Sequence, residues 1–405
     1  MSGDYSRFTF DPKGNYSGVL LQQGRVLLDQ DWNAQSAMTS RSFRAAMVDL
    51  LGRIFLAMPG AFKIVSDGRG GLMIGRGRIY VDGLAADNHG TGPLVWDAVL
   101  DEQYGEGPIS YIQQPHLPAA PELPRSGGPY LVYLDVWQRE VTVAEDHDLA
   151  DPALGGADTT TRLQTVWQVK LREASSARAK RPLDGDGKFT PASSRLSVAS
   201  GAYTGLENHL YRVEVHDGGK AGVASFKWSR NNASTVVRVI QVTDLLHLVV
   251  QSVGSHDLSE FSGGDLIEIT DDARELAGLP GELRNIKAID NPTSTFTLDA
   301  PLSPGLFLTE QNGVPDVKRH MRVRQWQGSG AIQNVGSPID LENGIAVYFD
   351  TDGCFRPGDY WLISARVANQ YFEMLDHAPP RGIHHHIARL ALFTPPRRLR
   401  DLRKS

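Results

Sequence analysis

The sequence has one cysteine, Cys354, in 405 residues. An internal disulfide is therefore excluded, as is any zinc site built from several thiolates. No run of about 18 apolar residues occurs, the length at which a helix spans a bilayer. Met1 to Asp11 has no basic stretch followed by an apolar one, so the expectation is cytoplasmic synthesis without a secretory signal and without direct membrane insertion. A positive surplus is missing too: 41 basic residues stand against 47 acidic ones, a net charge of -6. Proteins that grip phosphate backbones carry the opposite balance, so nucleic acid is not an expected partner. No repeat at a fixed period is present, which argues against solenoids and propellers. A Gly-x-Ser-x-Gly elbow, a phosphate-binding loop and a dinucleotide fingerprint are all missing, and Cys354 has no assignable catalytic partner. No catalytic residue, cofactor-binding residue, metal ligand or cofactor is assigned on these grounds.

What the chain does contain is punctuation. Its 41 glycines and 23 prolines suit many turns between short extended segments, and 41% hydrophobic content with 22% charge is that of a folding globular chain. The expected fold class is mainly β with one long N-terminal α-helix, in a multi-domain β-sandwich or small-barrel architecture. Phe43, Met47, Leu50, Ile54 and Met58 recur at helical spacing and predict a helix over about 32–57, capped by Asp31 and stopped by Pro59-Gly60. Four regions are expected: a docking segment and helix at 1–60, a β domain with its linker at 61–200, an inserted small barrel or sandwich at 201–330, and a C-terminal β region with a basic tail at 331–405. Asp82-Gly83 after Arg78-Ile79-Tyr80-Val81 reads as a tight hairpin turn, and residues 173–200 read as a flexible linker.

Several clusters could carry chemistry, and each also has an ordinary reading. His384 and His386 would share a face of a strand, so a trimer could gather six imidazole nitrogens on its axis; otherwise they cap the strand and bond to backbone. His377 lies close by in sequence. Asp184-Gly185-Asp186-Gly187, Asp271-Asp272 and Asp350-Thr351-Asp352-Gly353 could offer oxygens to calcium, yet none completes an EF-hand, and turn chemistry explains each. Asp135, Glu140, Glu145 and Asp146 beside Trp137 could supply the carboxylate pair of a glycosidase, or could simply be solvated. Trp137, Trp167, Trp228, Trp326 and Trp361 suit a sugar platform, but at strand positions core or interface roles are preferred. The tail from Pro395 to Ser405 has four arginines and a lysine, enough to meet an acidic surface, or to fray in solvent.

The opening Phe8-Thr9-Phe10-Asp11-Pro12-Lys13 and Tyr16-Ser17-Gly18-Val19-Leu20-Leu21-Gln22-Gln23-Gly24-Arg25-Val26-Leu27-Leu28-Asp29-Gln30-Asp31-Trp32-Asn33 resemble the start of an uncharacterised bacterial family of phage-tail-like and extracellular contractile injection proteins. The likeness continues through Tyr133 to Arg139, Thr165 to Leu171, Gly205 to Gly219, Phe226 to Asn232, Gly358-Asp359-Tyr360-Trp361-Leu362-Ile363 and Gly382-Ile383-His384-His385. Gly77 to Gly83 is similar to a hairpin of baseplate and tail-fibre proteins. The resemblance implies a non-enzymatic structural or adaptor part of a tail-like particle, near the baseplate or fibre attachment, partnered by other particle subunits. A homo-oligomer such as a trimer fits the symmetry of tails. A carbohydrate-binding or carbohydrate-cleaving tail protein is the alternative. Residues 5–33 are the first docking element on this reading, and an edge strand leading into the helix on the other.

Overall fold

The computed structural model describes residues 2–92, 106–174, 194–252, 258–305, 313–316, 319–333 and 336–403. The chain is mainly β with one long helix near its start, as expected. It divides into two compact units that interleave along the sequence: Met1–Phe8, Arg139–Gln164 and Ala192–Ile383 form one, and Thr9–Gln138, Thr165–Pro191 and His384–Ser405 the other.

The first unit holds a closed six-stranded barrel, in the order Val236–Asp244, His247–Gln251, Thr295–Leu298, Glu282–Asp290, Leu266–Thr270 and Arg322–Trp326. Alternation builds it. Val237 and Val239, Leu248 and Val250, Ile267 and Ile269, and Phe296 and Leu298 recur at period two and fill its core. All six strands fall within the expected inserted region. Before the barrel, His209–Val215 pairs with Ser225–Ser229 on one side and with Tyr360–Arg366 on the other. The resulting five-stranded sheet shares a core with a three-stranded one, Tyr211, Val213, Phe226 and Trp361 meeting Leu196, Val198, Val347 and Phe349. Leu196–Val198 is thus a strand paired with Ile345–Phe349 in a stretch expected to be linker. Its two apolar side chains alternate into the core, a signal too short to register among small polar neighbours. The rest of that expected linker, 175–193, lies outside the described residues.

The second unit contains the helix, two three-stranded sheets and a four-stranded sheet in the order Arg162–Glu173, Tyr130–Val141, His386–Thr394, Arg398–Asp401. The expected hairpin is present: Gly77–Val81 pairs with Leu84–Asn88, and Asp82 and Gly83 both take positive φ, 47° and 78°. Gly83 has a second task, because a Cβ there would lie 2.7 Å from the carbonyl oxygen of Arg44 on the helix. The hairpin is therefore a seat for the helix. Arg44 donates to the Asp82 carbonyl, while the Asp82 carboxylate accepts from His386 at 2.9 Å and pairs with Arg53 at 3.2 Å. The hydrogen bond from His386 is the main reason the Asp82 carboxyl lies below its usual range.

The helix differs from expectation at both ends and in its buried face. It runs Asp29–Leu51, with Leu28 as an uncapped N-cap and Asp29 and Asp31 inside the first turn, where negative charge suits the helix dipole. Gly52 ends it in a backbone conformation favoured by glycine, φ 82°, and Ile54 already belongs to the strand Ile54–Leu56. The buried residues are Gln30, Ala34 and Met38, whereas Phe43 and Leu50 of the expected core stripe are exposed.

Candidate functional site

The sequence-selected residues mostly find partners within the protein. His385 Nδ1 lies 2.8 Å from Asp135, which also accepts from Lys170 at 2.8 Å. Burial opposes ionisation of Asp135, but His385 and Lys170 hold its carboxyl below the usual range. The strand begins at His386, so the two-residue alternation that would place His384 beside His386 does not extend back to His384. His377 pairs with Asp350 at 3.0 Å. Among the described residues, no group of three His, Cys, Asp or Glu side chains is arranged to hold a metal ion.

The four carboxylates near Trp137 do not act as a set. Glu140 accepts from the backbone of Ser2 and Gly3, Glu145 pairs with Arg322 and Arg324, and Asp146 caps the turn at His147–Leu149. Trp137, Trp167, Trp228, Trp326 and Trp361 are all buried, and Trp167 and Trp361 donate their indole hydrogens to backbone carbonyls. The basic tail is neither loose nor frayed over its described part. Arg398–Asp401 is a strand on His386–Thr394, and Arg403 donates to the Pro59 and Ala61 carbonyls. Asp271 caps the short helix Asp272–Leu276 and pairs with Arg319 at 2.6 Å. Asp184-Gly185-Asp186-Gly187 lies outside the described residues.

Two buried ionic clusters escaped the sequence reading. In the first, fully buried Arg322 meets Glu145 at 3.0 Å, Asp272 at 2.8 Å, and Glu275. Burial opposes the charge on Asp272, yet His320, Arg322 and Arg139 hold its carboxyl down at about 2. In the second, Glu214 and Lys227 sit opposite each other on paired strands, and Lys227 Nζ lies 3.2 Å from Glu214 and 2.6 Å from Glu268 of the barrel. Glu268 also accepts from the Trp326 indole and the Gly281 amide. Both carboxylates stay below the usual range against the pull of burial, Glu214 because of Arg212 and then Lys227, and Glu268 because of Lys227. Neither is raised towards the range that a general acid needs at neutral pH. The available signal was charge placed inside apolar strands: Arg212 and Glu214 alternate with buried Tyr211, Val213 and Val215.

A cavity of about 130 Å³ adjoins this cluster, and His216 lines it with Nδ1 buried and making no hydrogen bond. Burial and the Lys227 ammonium hold the His216 imidazole below its ordinary value. The unfolded chain thus takes up that proton first. Stability due to neutral His216 is complete above roughly pH 6.5 and declines as pH falls towards the lowered folded value. The expected outcome is that melting of the wild type drops more steeply between about pH 7 and 5 than melting of His216→Gln. Parallel melting curves would show that His216 does not carry this sensitivity.

The most conspicuous surface feature is the N-terminal arm. Residues 2–8 pack within the first unit, where Tyr5 and Phe8 lie against Leu210, Tyr360 and Leu362, and Tyr5 bonds Thr161 at 2.6 Å. Beyond the short turn Pro12–Gly14, residues 15–28 form neither strand nor helix, so the edge-strand reading is not met. Leu20 is 92% exposed and Val26 81%, with Leu21, Leu27, Leu28 and Trp32 also open, and Leu50 of the helix is 81% exposed. Val19 N donates to Gln35 of the helix at 2.7 Å.

Fold and surface together define a class: a two-unit, mainly β protein with a closed barrel, interior ion clusters and an apolar arm held at its surface. The chain matches a family of unknown function, DUF6519, over residues 1–185 and 191–383, and it belongs to that family. No curated protein and no solved structure matches it.

Proposed function

We propose that this chain is a non-enzymatic structural or adaptor subunit of a phage-tail-like contractile particle, present in several copies and gripped by neighbouring subunits through residues 15–28 and the exposed side of the helix. The observation that carries the reading is the arm: five aliphatic side chains between Leu20 and Leu28 stand in solvent. Covering one such side chain contributes roughly 1.5–3 kcal/mol, so the arm holds a large unrealised association energy. Contiguous apolar patches of this kind mark interaction surfaces. Repetition around a particle axis would multiply modest contacts. The sequence resemblance supplies the kind of particle, and the baseplate or fibre junction is its place on that reading.

The test is mass spectrometry and electron cryomicroscopy of particles from the native producer, comparing wild type with Leu20→Asp/Leu27→Asp. Both positions are solvent-facing, so the variant is expected to fold with unchanged melting and to be lost from purified particles. Particles that lack the wild-type chain, or that retain the variant at wild-type level, would overturn the proposal.

A further inference from the structure

Beside the barrel, the first unit carries a polar groove of about 620 Å³, lined by Arg230, Asn231, Asp265, Asn285, Gln325 and Gln327 among others. That volume lies within the roughly 300–1,000 Å³ of small-molecule sites. The side-chain amides are held in place by hydrogen bonds to neighbouring residues. Gln325 donates its nitrogen to Asp265 at 2.6 Å and to the Glu260 carbonyl at 3.2 Å, and Asn285 donates to Asp299 at 2.9 Å. Gln327 accepts from the Arg230 amide at 2.8 Å, and the Asn231 side-chain oxygen meets His209 at 3.0 Å.

Each bond uses one end of an amide and leaves the other without a bond among the described residues. The open ends are Gln325 Oε1 and Asn285 Oδ1 as acceptors, and Gln327 Nε2 and Asn231 Nδ2 as donors. Arg230 adds a buried Nε with no hydrogen-bond partner, although its Nη2 is taken by Glu342 at 2.7 Å. Gly264 leaves the wall open, since a Cβ there would meet nothing within 4 Å.

Donors and acceptors interleaved in one groove select by chemistry. A phosphate needs donors alone, a metal ion acceptors alone, and an apolar ligand would strand every one of these atoms. Hydroxyl groups donate and accept at once. Among the described residues Asp265 and Glu260 line the groove with Arg230 as the one cation, and Glu342 already neutralises that cation, so acidic sugars meet net repulsion. From this we infer that the groove binds a neutral oligosaccharide. Trp326 lines it but is buried with its indole hydrogen spent on Glu268, so recognition rests on hydrogen bonds without an aromatic platform. Single-site affinity is therefore in the millimolar range, about that of a few net hydrogen bonds.

The inference does not depend on the particle reading, and it is tested on the isolated full-length chain. Saturation-transfer NMR would be titrated with maltohexaose, cellohexaose and chitohexaose up to about 10 mM, a concentration that saturates a millimolar site. At least one should give a saturable response, weakened about tenfold in Asn231→Ala/Asn285→Ala and unchanged in Lys220→Ala, with hexagalacturonate giving none. Melting curves establish that both variants fold. Absence of saturation by all three neutral sugars, equal binding by the groove variant, or preference for hexagalacturonate or for a Gly-Ser hexapeptide would overturn it.

Discussion

Arg322→Met is expected to lower stability by about 3–5 kcal/mol, the usual consequence of removing one member of a buried ionic group. Arg322 is fully buried and its guanidinium addresses three carboxylates, Glu145 from Nε, Asp272 from Nη1 and Glu275 from Nη2. Removing it leaves Glu145 and Asp272 charged, buried and short of their strongest common partner. Lysine is a poor substitute, because one compact ammonium cannot reach three acceptors that a planar fork reaches together. Arg322→Lys should therefore recover less than half of the loss. Replacing the acids as well reverses the argument: Arg322→Met with Glu145→Gln and Asp272→Asn removes the uncompensated charges and should be more stable than Arg322→Met alone. Urea unfolding at neutral pH measures all four proteins. An Arg322→Met protein as stable as wild type would mean that water reaches the cluster and screens it.

Lys227→Met should cost a similar amount, about 3–5 kcal/mol at neutral pH, and should also invert a pH dependence. In the wild type, Lys227 lies between Glu214 and Glu268, seconding Arg212 at the first and acting as the main counter-charge at the second, so folded values sit below unfolded ones. Stability from this pair is present above the ordinary carboxylate range and is lost as pH falls through the folded values. Without the ammonium, Arg212 still serves Glu214, but among the described residues Glu268 keeps only the Trp326 and Gly281 donors and the 3.8 Å approach of His216. Burial and the like charge of Glu214 then raise Glu268 above its unfolded value. A group raised in the folded state stabilises once it is protonated, so Lys227→Met should gain stability from about pH 7 to pH 5 while the wild type does not. Denaturation at the two pH values decides it, and a variant that loses stability on acidification as the wild type does would refute the assignment.

Much of the fold was legible because strands announce themselves locally. Tyr130 to Trp137, Thr165 to Leu171 and the series from Val236 to Leu298 combine β-branched and aromatic residues with period-two alternation, and each is a strand. Asp82-Gly83 carried its own geometry, since positive φ at both residues suits this pair. The helix was legible in existence only. Its apolar stripe through Phe43 and Leu50 points into solvent, and a periodicity count cannot distinguish a face packed in its own core from a face left for another surface. The histidines show the same limit from the polar side. His385 and His386 each meet a carboxylate, Asp135 and Asp82, from 250 and 304 residues away in sequence.

By itself, then, the sequence determined the β-rich class, the presence of one long helix, the tight hairpin and a run of short strands between 201 and 330 that suits a barrel or a sandwich, because each rests on spacings within a few residues. The tertiary structure alone decided which charges are buried together, where the helix ends, which tryptophans are enclosed, and which apolar side chains remain uncovered. Those outcomes depend on contacts between strands far apart in the chain. Glu214 meets Lys227 through strand register and Glu268 through the barrel, and no local pattern encodes either meeting. The arm from Leu20 to Leu28 reads as apolar in either description, but only the folded chain shows that nothing among its described residues covers it.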